Sequence, residues 1–180
     1  TLLCGLSGEG DFPLITRHLI RECENEDVRH IEDVRFEATQ ILLAEDNPTN
    51  LLVATTMLEK MNCMVTPAGN GHEAVKLVKQ RQFDLIFMDC NMPEMDGWEA
   101  SKTIRKIESE DEDDVHTPII AFTAHAMKGD DTRCFDAGMD DYLPKPVNKG
   151  EMQRMLVKWL DHKIISPTVS SDNATSTPTL

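Results

Sequence analysis

No two cysteines of this chain stand in a Cys-x-x-Cys pair. Cys4, Cys23, Cys63, Cys90 and Cys134 are odd in number and widely spaced, so neither a disulfide framework nor a zinc site is indicated, and a reduced, cytoplasmic setting is expected. Basic residues are also in short supply. With 18 Lys and Arg against 32 Asp and Glu, the formal net charge is -14, which argues against an unassisted nucleic-acid or anionic-membrane surface, since both need clustered cations. An acidic face suits solubility, cationic partners or a divalent metal, and plain solvation accounts for most of these charges. Long apolar runs are missing too: none approaches the roughly 18 residues of a membrane span, and no basic-then-apolar signal peptide opens the chain. The first residue is Thr1 rather than Met, so the sequence is read as a piece of a longer protein, and a membrane anchor of that parent would lie outside it.

At 180 residues there is room for one domain of ordinary size plus extensions. The organising stretch is Asp84 to Gly97, DLIFMDCNMPEMDG. Leu85, Ile86, Phe87 and Met88 make a short continuous apolar segment, the pattern of a strand buried on both faces of a parallel sheet. That strand delivers Asp89 to its C-terminal edge, where ligands bind in open α/β sheets. Pro93 and Gly97 mark the following loop.

Residues 1–39 are expected to be a linker or the end of a preceding domain. From Gln40 the pattern alternates, with strands at Ile41–Ala44, at 62–66, at the segment ending on Asp89, at Pro118–Thr123 and within DYLPKP. Helices fall between them, and the last carries Met152, Met155, Leu156, Trp159 and Leu160 at i, i+3, i+4, i+7 and i+8. Gly138 reads as a helix stop, and the acidic run Glu108 to Asp114 as a solvated loop. Strands and helices alternating through short loops, with no internal repeat, predict an α/β fold over residues 40–163: a doubly wound five-stranded parallel sheet with helices on both faces. Residues 164–180, rich in Ser, Thr and Pro, predict a disordered tail.

In such a sheet the strand ends converge on one crevice. Strand one supplies Glu45 and Asp46, strand three Asp89, strand four Thr123 and strand five Lys145. Three carboxylates held together repel unless a cation neutralises them or a proton is retained, and an oxygen-rich, partly hydrated site suits Mg²⁺. A metal and Lys145 flanking Asp89 would stabilise a phosphoryl group during transfer to that carboxylate. The Thr123 hydroxyl is placed to donate a hydrogen bond to the new phosphoryl oxygen.

ILLAEDNPTN, DLIFMDCNMPEMDGWEA, PIIAFTAHAMKGD and AGMDDYLPKPV, in this order and spacing, resemble the receiver domain of two-component response regulators. Their wording is most similar to receivers attached to hybrid sensor histidine kinases. The resemblance covers about residues 40–162, and PLITRHLIRE at Pro13 to Glu22 is similar, over a shorter stretch, to the linker that precedes such receivers. It implies a flavodoxin-like fold with strand order 2-1-3-4-5 and Asp89 as the phosphoacceptor. Mg²⁺ would be bound by Asp46, Asp89 and the backbone carbonyl of Asn91, with Glu45 acting through water. Lys145 would pair with the phosphoryl group, its bond to Pro146 cis, while Thr123, Ala124 and Tyr142 would bind the phosphoryl group and report it. The implied partners are a histidine kinase as donor and a histidine phosphotransfer domain as next acceptor, in a phosphorelay. Glu45 departs from the Asp more common at that position.

Two other function classes stand beside this signalling switch. A metal-dependent phosphohydrolase also uses an Asp nucleophile, but needs a second acid two residues later, where this chain has Asn91. A silent interaction module would be favoured by loss of Asp89 or Lys145, and both are present. Thr123 by itself also suits a helix cap, and Tyr142 a half-buried strand aromatic. Cys90 and Met92 are expected to pack beside the site. His18, His30, His72, His116, His125 and His162 lie in no phosphoacceptor box and read as surface or linker residues.

Overall fold

Apolar runs of five or six residues and amphipathic stretches alternate along the computed structural model, which describes residues 34–110, 116–123 and 130–165. The elements are β1 (Arg35–Phe36), β2 (Thr39–Ala44), α1 (Pro48–Lys60), β3 (Cys63–Ala68), α2 (Gly71–Val78), β4 (Leu85–Asp89) and α3 (Gly97–Glu110). They continue with β5 (Ile119–Thr123), α4 (Asp130–Asp136), β6 (Asp141–Pro144), α5 (Lys149–Trp159), a 3₁₀ turn at Asp161–Lys163 and β7 (Ile164–Ile165). The five longer strands form one parallel sheet in the order β3-β2-β4-β5-β6, which is the expected 2-1-3-4-5 counted from β2. Pro67 lies in β3, the sheet's edge strand, where a missing N–H costs no ladder bond.

Alternate side chains of the central strands point to opposite faces, so each face has its own core. Leu42, Ile86, Met88, Ile119 and Ala121 pack with Ala74 of α2 and Ala100 and Ile104 of α3. Ile41, Leu43, Leu85, Phe87, Ile120 and Phe122 pack with Leu58 of α1 and Met152 and Leu156 of α5. The Phe87 and Phe122 rings stack at 5.0 Å between centroids. The helices begin on side-chain caps: the Asn47, Asn70 and Asn148 side chains accept backbone N–H groups at the starts of α1, α2 and α5. After α4 the chain turns at Gly138, whose φ of 82° suits a residue without a Cβ.

The fold reaches beyond residues 40 and 163, the limits expected from sequence. β1 and β7 pair as a short antiparallel ribbon, Arg35 opposite Ile165 and Phe36 opposite Ile164. Phe36 is fully buried in the α1–α5 core, its N–H donating to the Met61 carbonyl and its own carbonyl accepting from the Asn62 side chain. Two-residue strands are too short to leave a periodic signal, which is why the sequence pattern missed them. Phe36→Ala is therefore expected to cost about 3–5 kcal/mol, read as a lower urea midpoint. An unchanged midpoint would show that the ribbon is not part of the cooperative fold.

The first residues of the acidic run are also placed differently. Glu108 belongs to α3 rather than to a solvated loop; its carboxylate accepts from the Thr117 N–H and pairs with Arg105. Arg105 also donates to the Gly138 and Thr117 carbonyls and to Asp140, tying α3 to the entry of β5 and the turn before β6. The expected linker at 1–33, positions 111–115, Ala124, the start of the helix through Ala126 and Met127, and the tail from 166 lie outside the described residues.

Candidate functional site

β4 is buried along its whole length, so its last residue, Asp89, is carried to the sheet edge only 4% exposed. β2 ends one register step away, and the next residue, Glu45, is 2% exposed. Lys145 follows β6, joined to Pro146 by the expected cis bond, and its N–H donates to the Thr123 carbonyl at 2.7 Å. Three strand ends thus meet at one ammonium: Lys145 Nζ lies 2.7 Å from Asp89 Oδ2 and 2.6 Å from Glu45 Oε2. The other Asp89 oxygen, Oδ1, accepts the Asn91 N–H at 3.1 Å.

Two carboxylates share this ammonium, and the electrostatics follow. Burial is the largest influence on Asp89 and raises its pKa; the Lys145 hydrogen bond and the Asn91 N–H oppose this, Glu45 adds to it, and the carboxyl ends above its ordinary value. Burial would lower the Lys145 pKa, but the Asp89 and Glu45 carboxylates outweigh it and hold the ammonium above its usual range. The two groups move upward for different reasons, Asp89 because burial penalises its charged form and Lys145 because two carboxylates surround it, and those two carboxylates outnumber the ammonium between them. Asp46 enlarges the imbalance. Glu45, Asp46 and Asp89 each offer an oxygen, all within 4.8 Å of one another, against one Lys among the described residues. The surplus of negative charge and the all-oxygen donor set fit a small divalent cation.

The remaining expected residues fall around this centre. Thr123 ends β5 and is 5% exposed. Tyr142 of β6 is half-buried, edge-on to Phe135 at 6.4 Å between ring centroids. Cys90 and Met92 are buried, as expected of packing residues. The Cys90 and Cys134 sulfurs lie 3.8 Å apart, and their hydrogen bond, with burial, raises the Cys90 thiol pKa so that it stays neutral. His116 and His162 are exposed, His116 pairing with Asp140. A cleft of about 320 Å³ opens beside Lys145 between Asn50, Val53 and Met57 of α1 and the Pro146–Val147 segment. Among the described residues no helix is long and apolar enough to cross a membrane.

The sequence pattern did not single out Asn50. Its side-chain amide donates to Glu45 Oε1 at 2.9 Å. The available signal was an amide in the first turn of the helix that follows the acid-bearing strand.

A family model described as the response regulator receiver domain matches residues 41–157. The chain belongs to the response regulator receiver family. GacS, a sensor protein of Pseudomonas syringae pv. syringae, is 39% identical over 136 residues, an alignment covering 76% of this chain and 15% of that protein. This receiver therefore corresponds to a small part of the curated relatives it matches. Among solved structures, the receiver domain of the Pseudomonas aeruginosa sensor histidine kinase PA1611, which holds a magnesium ion in its active-site cleft, is 41% identical with a TM-score of 0.61. That match covers 68% of this chain and 98% of the other. The receiver domain of Ssk1, solved in complex with the Saccharomyces cerevisiae histidine phosphotransfer protein Ypd1, is 32% identical with a TM-score of 0.64, covering 69% and 90%. Receivers of this family are phosphoacceptor signalling domains of phosphorelays rather than classical enzymes.

Proposed function

We propose that Asp89 accepts a phosphoryl group from a histidine of a kinase and that this receiver passes it on or changes its protein contacts. The observation that carries the reading is the buried Asp89 carboxylate held by Lys145 at the meeting point of three strand ends. An Asp89 oxygen attacks phosphorus as the P–N bond of the donor phosphohistidine breaks, giving an acyl phosphate and leaving the electron pair on the imidazole. Lys145 exchanges its bond to Asp89 for one to a phosphoryl oxygen, so its charge follows the group being transferred. Asp46, Asp89 and the Asn91 carbonyl would hold Mg²⁺, with Glu45 supporting it through water. When bound, the ion neutralises charge on the transferring phosphoryl oxygens.

Thr123 and Ala124 would hydrogen-bond the phosphoryl group, and Tyr142, beside the exposed Phe135, would carry the change to the surface of α4, β6 and α5. Asn91 cannot act as a general acid, which favours a stored acyl phosphate over rapid turnover, with slow loss to water. The donor kinase and a histidine phosphotransfer acceptor are the partners this reading requires, in a cytoplasmic setting.

Acetyl phosphate with Mg²⁺ is expected to add one acid-labile phosphoryl group per chain by intact mass. EDTA should abolish the addition. Borohydride reduction and peptide mass mapping should place the modification at Asp89; a label on another residue, or one indifferent to chelation, would overturn the assignment.

A further inference from the structure

Glu45 is buried, and each of its carboxylate oxygens has its own donor: Oε2 takes the Lys145 ammonium at 2.6 Å and Oε1 takes the Asn50 amide at 2.9 Å. The two donors differ in what else they bond: Lys145 is shared with Asp89, whereas the Asn50 amide serves Glu45. On the phosphoacceptor reading above, Lys145 turns towards the phosphoryl group, which draws it from Glu45. The Asn47 N–H lies at a long 3.4 Å from Oε1, and the Asn47 side-chain carbonyl is already taken by the Thr49 and Asn50 N–H groups.

We propose that Asn50 is a positioning residue, whose neutral amide holds the buried Glu45 carboxylate in place for the divalent cation while Lys145 is engaged elsewhere. This inference rests on the phosphoacceptor reading above. An amide suits the task better than a second cation, because it orients the carboxylate without neutralising the charge that attracts the metal. The first turn of α1 gives Asn50 a rigid base, since Asn47 caps the helix and Pro48 occupies its first position. Asn50 is itself exposed, so trimming it removes the hydrogen bond without opening the core.

The test is calorimetric titration of the 180-residue chain with Mg²⁺ alone, with acetyl phosphate labelling as a second readout. Asn50→Ala should weaken Mg²⁺ binding about tenfold, as loss of a partner that orients a metal ligand does, and raise the Mg²⁺ concentration for half-maximal labelling more than it lowers the plateau rate. Asn50→Gln, which keeps the donor on a longer arm, should recover part of the loss. In a Glu45→Gln background Asn50→Ala should add less than about twofold, because the partner it orients is gone.

Wild-type Mg²⁺ affinity in Asn50→Ala, or the same tenfold loss in the Glu45→Gln background, would overturn the positioning role while leaving the phosphoacceptor reading intact. A wild-type chain that neither binds Mg²⁺ nor takes label would sink both.

Discussion

Asp89→Asn is expected to reduce phosphoryl labelling by at least about 10³-fold and, in the metal-free protein, to raise the melting temperature. The loss follows from chemistry: an amide is not a phosphoryl nucleophile, and Glu45 is buried with both oxygens engaged. The gain follows from charge. Asp89 and Glu45 compete for one ammonium, and burial holds the Asp89 carboxyl above its ordinary value, so the ionised form costs stability at neutral pH. A group shifted this way favours the fold most at low pH and loses that contribution as pH rises through its folded-state value. Asparagine removes the surplus charge, and its single amide oxygen can still accept from Lys145, at the expense of the bond from the Asn91 N–H. The expected gain is about 1 kcal/mol, or ~2–4 °C.

Asp96→Asn provides the control. Asp96 accepts the Glu99 N–H at 2.8 Å at the start of α3, a capping role that asparagine fills comparably, so labelling should persist. A fall in melting temperature for Asp89→Asn would mean that Lys145 depends on the Asp89 charge and that Glu45 alone does not hold it.

Gly97→Ala is expected to destabilise the protein by about 3 kcal/mol or more and to disturb the site through the backbone. A Cβ at position 97 would lie 2.1 Å from the Asp89 carbonyl oxygen and 2.9 Å from its carbonyl carbon. The nearest atoms are backbone at the end of a buried central strand, so no side-chain rotation relieves the clash. Either α3 lifts away from β4, breaking the Gly97 N–H bond to the Cys90 carbonyl, or the Asp89 peptide shifts.

Gly150 in α5 makes the comparison, since a Cβ there meets only the Asn148 side chain at 3.6 Å. Gly150→Ala should be neutral or stabilising by about 0.5–1 kcal/mol. Urea midpoints for the two variants decide the matter. A Gly97→Ala protein as stable as wild type would show that α3 is free to move off the strand, and the tight coupling between helix and phosphoacceptor would have to be abandoned.

Much of the architecture was legible because it rests on short-range pattern. Continuous apolar runs such as Leu85–Met88 are the signature of central parallel strands, and Asn, Pro and Gly at the loops mark where helices begin and end. The convergence of Glu45, Asp46, Asp89, Thr123 and Lys145 could be inferred as well, since parallel strands deliver their C-terminal residues to one edge whatever the details of packing.

The chain by itself thus determined the sheet, its strand ends and the kinds of atoms gathered there. Tertiary structure alone decided how those atoms are shared. That Lys145 bridges Glu45 and Asp89, that Asn50 holds Glu45 from the neighbouring helix, and that Glu108 and Asp140 meet on Arg105 depend on distances between segments far apart in sequence. The Phe36–Ile164 ribbon was hidden for the same reason. Its strands are two residues long, so no local period reveals them, and they exist because burying Phe36 against α1 and α5 favours a pairing that neither segment would adopt alone.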